Sequence, residues 1–195
     1  MKNVLITLMA GAAFAATATP AAAAATNGFR VEAVAGWDHG SLDLNDFGID
    51  DELNSDGIVF GLGAGYDFAV GTGTSIGLDV EATESTGDID IVDGTDSAEI
   101  SIGRDLYVGG RFTFAAGSNA NVYLKAGYTN ARIRATVDDG TGVISDAANA
   151  DGIRGGIGVQ VGVGGNAYVG GEYRYSNYEA DFSRHQAVAT LGFRF

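Results

Sequence analysis

Eight segments of this chain, each about ten residues long, alternate apolar side chains with polar residues or glycine. In the segment 57–68, apolar residues occupy every second position from Ile58 to Phe68, and glycine is the commonest residue between them. A period of two places the two kinds of side chain on opposite faces of a β-strand, whereas a helix needs a period near 3.6. The pattern therefore predicts an all-β protein.

The connections between the predicted strands alternate in length. The strands are predicted at residues 28–38, 57–68, 75–83, 100–114, 121–132, 152–163, 167–177 and 185–195. Three connections are short and rich in glycine, and they cover residues 69–74, 115–120 and 164–166. The others are the long acidic segments 39–56, 84–99 and 133–151 and the short segment 178–184. Short turns at one end and long loops at the other are typical of barrels that span an outer membrane.

A sheet can cross a membrane only when it closes into a barrel, because each unpaired backbone N–H or C=O in hydrocarbon costs several kcal/mol. Tilted strands need about 9 to 11 residues to span the bilayer, which each segment supplies. Eight strands enclose a lumen that side chains can fill. The sequence therefore predicts an eight-stranded antiparallel up-and-down transmembrane β-barrel without a wide channel.

Most charged residues of the predicted strands lie on the face opposite to the apolar one. They are the basic residues Arg30, Arg111, Lys125, Arg154, Arg174 and Arg194 and the acidic residues Glu32, Asp67, Asp79, Glu81, Asp105 and Glu172. Because buried charges are tolerated when they are paired, these equal numbers predict a network of salt bridges in the lumen. Inward glycines such as Gly63 and Gly158 leave room for long basic side chains. Arg104 falls on the apolar face, and we expect it at the barrel rim.

Outward aromatic residues cluster at the ends of the predicted strands. They are Phe29, Trp37, Phe68, Phe112, Phe114, Tyr128, Tyr173, Tyr175, Phe193 and Phe195. A single outward aromatic residue has no special meaning, but aromatic girdles at both membrane interfaces are typical of transmembrane barrels. We therefore expect these side chains at the boundary between lipid and water.

The first 25 residues differ in composition from the rest of the chain. Lys2 precedes an apolar stretch at residues 4–16, and five alanines follow Pro20. This order is typical of a cleaved secretory signal, and the apolar stretch is shorter than the ~20 residues of a spanning helix. We expect residues 1–25 to be a signal peptide, cleaved near residues 24–26, and residues 26–195 to form one barrel domain.

Composition and charge argue against several classes of function. The chain has no cysteine, and its 25 acidic and 11 basic residues give a formal net charge of −14. This balance disfavours a nucleic-acid partner held by phosphate contacts. His39 and His185 are the only histidines, and no serine or aspartate neighbourhood makes either part of a catalytic triad. We therefore expect no enzyme activity and no cofactor.

Two acidic stretches bear on cation binding. Residues 43–48 faintly resemble a calcium loop, but Phe47 occupies a ligand position and Asn54 stands where a bidentate glutamate belongs. Asp88, Asp90 and Asp93, with the nearby Asp96, form a second cluster. These aspartates are candidates for binding a divalent cation, together with lipopolysaccharide phosphates, although most such clusters are solvated loops.

Several strand motifs resemble those of a known family. They are the segments 104–111 (RDLYVGGR), 123–128 (YLKAGY), 171–175 (GEYRY) and 191–195 (LGFRF). Over essentially the whole chain after the signal, the sequence resembles the small eight-stranded outer-membrane β-barrels of the OmpA and opacity-protein (surface antigen) type. The resemblance implies that the last strand, with Leu191, Phe193 and the terminal Phe195, is the signal read by the barrel-assembly machinery.

Two functions fit these observations. The first is a structural, surface-exposed barrel of a Gram-negative cell envelope, with a plugged lumen and acidic extracellular loops that serve envelope integrity, adhesion or a surface-antigen role. The alternative is a narrow porin-like channel for small solutes. A soluble lipocalin-like carrier would exchange the inner and outer faces. We expect a monomer in the bacterial outer membrane, in contact with lipid and lipopolysaccharide, with the assembly machinery during biogenesis, and through its loops with ligands on host or other cells.

Overall fold

The described part of the chain consists almost entirely of β-strands. The computed structural model describes residues 26–43, 52–93, 96–138, 142–179 and 182–195, and the expected signal peptide lies outside these ranges. The strands are β1 (Gly28–Asp43), β2 (Glu52–Gly71), β3 (Thr74–Ser85), β4 (Asp88–Asp93), β5 (Asp96–Ala115), β6 (Ala120–Asp138), β7 (Val143–Gly164), β8 (Ala167–Tyr178) and β9 (Phe182–Arg194). Among the described residues, no helix has the length and hydropathy to cross a membrane.

The sheet closes on itself. The sheet order runs β3-β2-β1-β9-β8-β7-β6-β5-β4, all pairs are antiparallel, and a further β3–β5 pairing joins the two ends. β3 and β4 follow one line in the wall and are separated only by Thr86 and Gly87, so that the nine segments make eight barrel strands. The predicted eight-stranded up-and-down barrel is confirmed.

A β-bulge in β5 lies beside this interruption. The register between β5 and β6 shifts between Ile102 and Asp105, so that Gly103 and Arg104 together lie opposite the single residue Arg132. The extra residue changes the alternation of the strand, and Ile102 and Asp105 are both buried inside the barrel. Arg104 consequently points outward.

The strands continue further at the acidic end than we predicted. β1 and β2 pair as far as Asp43 and Glu52, and β6 and β7 pair as far as Asp138 and Val143. β4 and β5 pair as far as Asp93 and Asp96. The predicted loops 39–56, 84–99 and 133–151 are therefore wrong in extent, because most of their residues extend three β-hairpins beyond the membrane. The connection between β8 and β9 is likewise shorter than predicted and covers only residues 179–181.

The polarity of the two faces reverses in these extensions. Ile102, Ala131, Tyr178 and Phe182 form a buried apolar cluster on the inner face. Leu42, Ile133 and Ala150 pack against it, also from the inner face. Most outward positions at this end hold polar residues, as in a water-soluble sheet. The reversal explains why a pattern of apolar-out alternation did not identify these residues as strands.

Between the two ends, the outer wall is apolar. Leu62 and Leu78 are 69% and 65% exposed, and other large outward side chains are exposed to a similar degree. At about 3.4 Å per residue and a tilt of about 40°, the stretch from Phe29 to Trp37 covers roughly 20 Å along the membrane normal. An apolar band of this size around a monomer fits lipid. A soluble lipocalin-like carrier needs the opposite arrangement and is excluded.

Candidate functional site

The lumen contains every charged residue that the sequence assigned to it. Eleven of the twelve are buried: Arg30, Glu32, Asp67, Asp79, Glu81, Asp105, Arg111, Lys125, Arg154, Glu172 and Arg174. The twelfth, Arg194, has a side chain that is 19% exposed at the end of the barrel where the short turns lie, and it bonds to Asp67 at 3.0 Å. We refer to that end as periplasmic and to the acidic end as extracellular, following the usual orientation of such barrels.

The layer nearest the periplasm joins β1, β2, β3 and β5. Arg30 forms ion pairs with Asp67, at 3.3 Å, and with Asp79. Arg111 approaches from β5, with its Nε 2.9 Å from Asp79 and its Nη1 3.2 Å from Glu32. Each arginine therefore connects carboxylates of two different strands, and the layer fixes the side chains across the barrel.

The middle layer contains two cations bonded to the same two carboxylates. Lys125 Nζ lies 3.2 Å from Glu81 and 2.8 Å from Glu172. Arg174 donates to Glu172 at 2.8 Å and also pairs with Glu81. The four residues come from β3, β6 and β8. Alternating charges of this kind satisfy one another when water is excluded.

The upper layer includes an ion pair that sequence reasoning missed. Arg154 pairs with Asp105, whose carboxylate also accepts a bond from Arg184 at 2.9 Å. Arg184 in turn pairs with Asp38, and both residues are fully buried. Arg184 was placed in the loop 178–184 and Asp38 at the end of a strand, so neither was assigned to the lumen. Arg184 lies two residues before the inward Gln186, and Asp38 lies two residues after the inward Gly36. This period of two could have identified both side chains as inward.

Tyrosines complete the network. The hydroxyls of Tyr123, Tyr168 and Tyr178 donate to Glu172, Glu32 and Asp105 at 2.7, 2.8 and 2.7 Å. In a separate contact, the Arg111 guanidinium lies 4.0 Å from the centre of the Tyr123 ring. Sequence alternation placed Tyr123 and Tyr168 on the inner face but gave them no partner, and it left Tyr178 in the predicted loop 178–184. Gly158 lies beneath the Tyr123 ring, and any Cβ at that position would collide with it.

A cavity opens at each end of the lumen. The periplasmic cavity, about 310 Å³, ends at Gln160, Tyr168 and Arg194. The extracellular cavity, about 320 Å³, is lined mainly by apolar side chains that include Leu42 and Phe182. The three layers of ion pairs occupy the space between the two cavities.

The predicted aromatic residues form two belts on the outer wall. The periplasmic belt consists of Phe29, Phe68, Phe112, Phe114, Phe193 and Phe195, and the extracellular belt consists of Trp37, Tyr128, Tyr173 and Tyr175. Only the extracellular belt carries hydrogen-bonding groups. Leu191, the third residue of the implied assembly signal, is exposed on the lipid-facing side of β9.

Directly above the extracellular belt, each wall strand presents a polar outward residue. This polar ring consists of His39, Asp56, Glu84, Arg104, Asn130, Asp151, Asn177 and His185. The Trp37 indole donates to Asp56 at 3.1 Å, and the Tyr128 hydroxyl donates to Asp151. The hydrogen bonds from Tyr128 and Asn130 lower the pKa of the Asp151 carboxyl. The ring marks the level at which the outer wall passes from hydrocarbon to headgroups.

The acidic candidates for cation binding receive no further support. Asp88 is exposed, and the side chains of Asp90 and Asp93 lie outside what the structure describes, as does most of the segment 43–48. Among the described residues, no three potential ligands lie close enough together to hold a metal ion.

A closed eight-stranded barrel with an ionic lumen, an apolar wall and two aromatic belts defines the class of small outer-membrane barrels. The sequence profile of the outer membrane protein β-barrel domain family matches residues 8–195. The chain belongs to this family, and it is a surface barrel of the bacterial outer membrane. A comparison with curated protein sequences finds no match.

Solved structures show the same fold. The crystal structure of Ail, the attachment invasion locus protein of Yersinia pestis, has a TM-score of 0.56 at 13% identity, covering 87% of this chain and 100% of that chain. The crystal structure of Neisserial surface protein A (NspA) has a TM-score of 0.57 at 18% identity, covering 86% of this chain and 97% of that chain. At these low identities the likeness supports the fold alone.

Proposed function

We propose that this protein is a sealed, surface-exposed structural barrel whose acidic hairpins face the outside of the cell. The observation that carries the proposal is the content of the lumen. With Asp38 and Arg184 included, seven basic and seven acidic side chains face one another there, in contact from the periplasmic to the extracellular end. A lumen filled with bonded side chains leaves no continuous path for water or ions.

The distribution of the other acidic residues supports a role at the cell surface. Of the 25 acidic residues in the chain, the eighteen outside the lumen all fall in the segments 43–56, 84–99, 138–151 and 179–181, which belong to the extracellular end. A strongly negative end favours contact with cations and with basic surfaces of other molecules. Envelope integrity, adhesion and a surface-antigen role are all compatible with such an end.

Ail has also been crystallised in complex with the heparin analogue sucrose octasulfate. A polyanion of this kind is repelled by the acidic end of this chain. The surface role that we propose therefore does not include adhesion through sulfated glycans on the hairpins.

Conductance in planar bilayers tests the seal. We expect no steady current from the wild-type barrel, and none from variants in which Arg111→Gln or Lys125→Met removes one lumen cation without opening a path. Arg134→Gln, which changes an exposed arginine on the outer face of β6, is the matched control. A steady wild-type current that changes in size or ion selectivity with Arg111→Gln and not with Arg134→Gln contradicts the proposal.

The same measurement addresses the alternative, a narrow channel for small solutes. The two end cavities favour this alternative, since they shorten the blocked stretch to the three layers of ion pairs. A channel requires those layers to rearrange together. It therefore predicts brief openings that become more frequent when Lys125 is neutralised.

A further inference from the structure

The basic residues of this chain are divided between two locations. Of its eleven lysines and arginines, Lys2 lies in the expected signal peptide, and seven line the lumen. The remaining three are Arg104, Arg132 and Arg134. All three lie outside the lumen on the adjacent strands β5 and β6, and no other lysine or arginine of the described residues does so. An otherwise acidic exterior thus has a single basic patch, which we call the arginine patch.

The β-bulge of β5 assembles this patch. It places Arg104 on the outer face, opposite Arg132, and Arg134 follows two residues further along the same face of β6. Directly opposite residues in a sheet have Cβ atoms about 5 Å apart, and residues two apart on one strand are neighbours on the same face. The three guanidinium groups therefore lie within reach of a single ligand.

The patch also lies at a defined height. Arg104 belongs to the polar ring directly above the aromatic belt, and its Nη2 donates to the ring residue Asn130 at 3.3 Å. Arg132 and Arg134 continue from the ring toward the extracellular side, on the outer wall of the barrel. This is the level of lipid headgroups rather than of the hairpin tips.

No ion pair within 4.0 Å joins the patch to a described acidic residue, although Glu84, Glu99 and Asp151 lie on the same outer face around it. The side chains of Arg132 and Arg134 are exposed and make no hydrogen bond or ion pair with any described residue. The Glu84 carboxylate of β3 lies close to Gly103 of the bulge, and no ion pair joins it to Arg104. Like charges placed opposite each other destabilise a sheet unless a counter-ion joins them.

We propose that the arginine patch is a binding site for the phosphate groups of a phosphorylated glycolipid, lipopolysaccharide, in the outer leaflet. Guanidinium groups bind phosphate oxygens through paired N–H donors, and three of them match a dianionic phosphate monoester. The site faces sideways into the leaflet, so that a lipid headgroup reaches it by diffusion in the membrane plane. The proposal is independent of whether the lumen conducts.

Thermal unfolding in lipid vesicles tests the site. The full barrel is folded into phosphatidylcholine vesicles with increasing mole fractions of diphosphoryl lipid A, and the unfolding midpoint is read from the loss of the unheated, folded band on a gel. We expect lipid A to raise the midpoint of the wild type. In Arg104→Gln/Arg132→Gln/Arg134→Gln we expect no such rise, with a midpoint in phosphatidylcholine alone that is equal to or above that of the wild type, because the repulsion between the arginines is removed. Each single variant should weaken the apparent affinity by about tenfold or more.

Four controls separate a phosphate site from general charge attraction. Substituting all three arginines by lysine keeps the charge but removes the paired donors, so we expect only partial stabilisation. Glu84→Gln, which removes an outward charge beside the patch, should preserve or strengthen the effect. Phosphatidylglycerol at equal charge density and a soluble sulfated sugar should each stabilise the barrel much less than lipid A.

Two results would overturn the proposal. One is equal stabilisation of the wild type and the triple glutamine variant by lipid A. The other is stabilisation by phosphatidylglycerol or by the soluble sulfated sugar that matches that of lipid A, since the patch would then respond to any anion. If the triple variant folds poorly, the ³¹P NMR signals of the lipid A phosphates are compared between the wild type and the single variants. An equal response of wild type and single variants would overturn the proposal.

Discussion

Arg184 connects β1 and β5 at the extracellular end of the lumen network, as Arg111 and Glu32 do nearer the periplasm. Its guanidinium bonds to Asp38 of β1 and, at 2.9 Å, to Asp105 of β5. Asp38 also accepts a hydrogen bond from Gln186 at 3.0 Å. In a buried site, removing one partner leaves a desolvated charge without compensation, which destabilises far more than removing the whole pair. The free energy of unfolding is therefore sensitive to single changes at these two positions.

We predict that Arg184→Gln lowers the free energy of unfolding by about 3–5 kcal/mol, because Asp38 loses its buried counter-ion. Asp38→Asn/Arg184→Gln should be less destabilised than the sum of the two single variants. Urea unfolding in phospholipid vesicles measures these values. Arg134→Gln makes the same chemical change on the exposed face and should alter stability by less than about 0.5 kcal/mol. Additive effects of Asp38→Asn and Arg184→Gln would show that the pair is not coupled.

At the scale of strands, alternation predicted the membrane-spanning parts and their inward and outward faces. It did so because lipid imposes one rule along the whole segment: apolar side chains outside. The hairpin extensions were missed because the rule reverses where the wall enters water. Arg184 obeys the rule, as a buried inward residue, and was missed because the predicted strand began at His185. The β-bulge beside Ile102 could not be predicted from the sequence either. An extra residue in one strand changes which face the following residues occupy, and only the pairing with the neighbouring strand reveals this change.

Strand β2 offers a direct test of the boundary between the apolar wall and the polar extension, because it has one outward residue to compare on each side of the polar ring. We predict that Leu62→Arg, in the middle of the apolar wall, lowers the free energy of unfolding in phospholipid vesicles by about 2–4 kcal/mol. Asn54→Arg, on the same face of the same strand beyond the polar ring, should cost about 0–1 kcal/mol. Equal effects of the two substitutions would contradict the position that we assign to the ring.

The whole molecule depends on closure between its first and last strands, β1 and β9. Thirteen residue pairs join them, from Arg30 with Arg194 to Leu42 with Phe182. The chain ends with Phe195 beside this seam, and the Phe195 ring lies 5.8 Å from that of Phe29. The family resemblance implies that Phe195 also carries information for assembly in the cell, which stays a prediction.

We predict that Phe195→Ala sharply reduces the amount of protein that reaches the outer membrane, while the purified chain still folds in detergent. Phe114→Ala removes another aromatic ring from the same periplasmic belt and serves as the control. Fractionation of cells, followed by gels of heated and unheated samples, measures both location and folding. Equal losses for the two variants would assign Phe195 to the belt alone.

The uneven placement of charge along the barrel axis has a consequence for biogenesis. None of the three short turns carries a charged side chain, whereas the opposite end carries eighteen carboxylates against the three arginines. Spontaneous insertion drives the uncharged end through a bilayer first, because charged groups are costly to move across hydrocarbon. A chain that inserts from the periplasm by that route would end with its acidic end in the periplasm. We therefore expect correct orientation in the living cell to require a catalyst that carries the acidic end across the membrane.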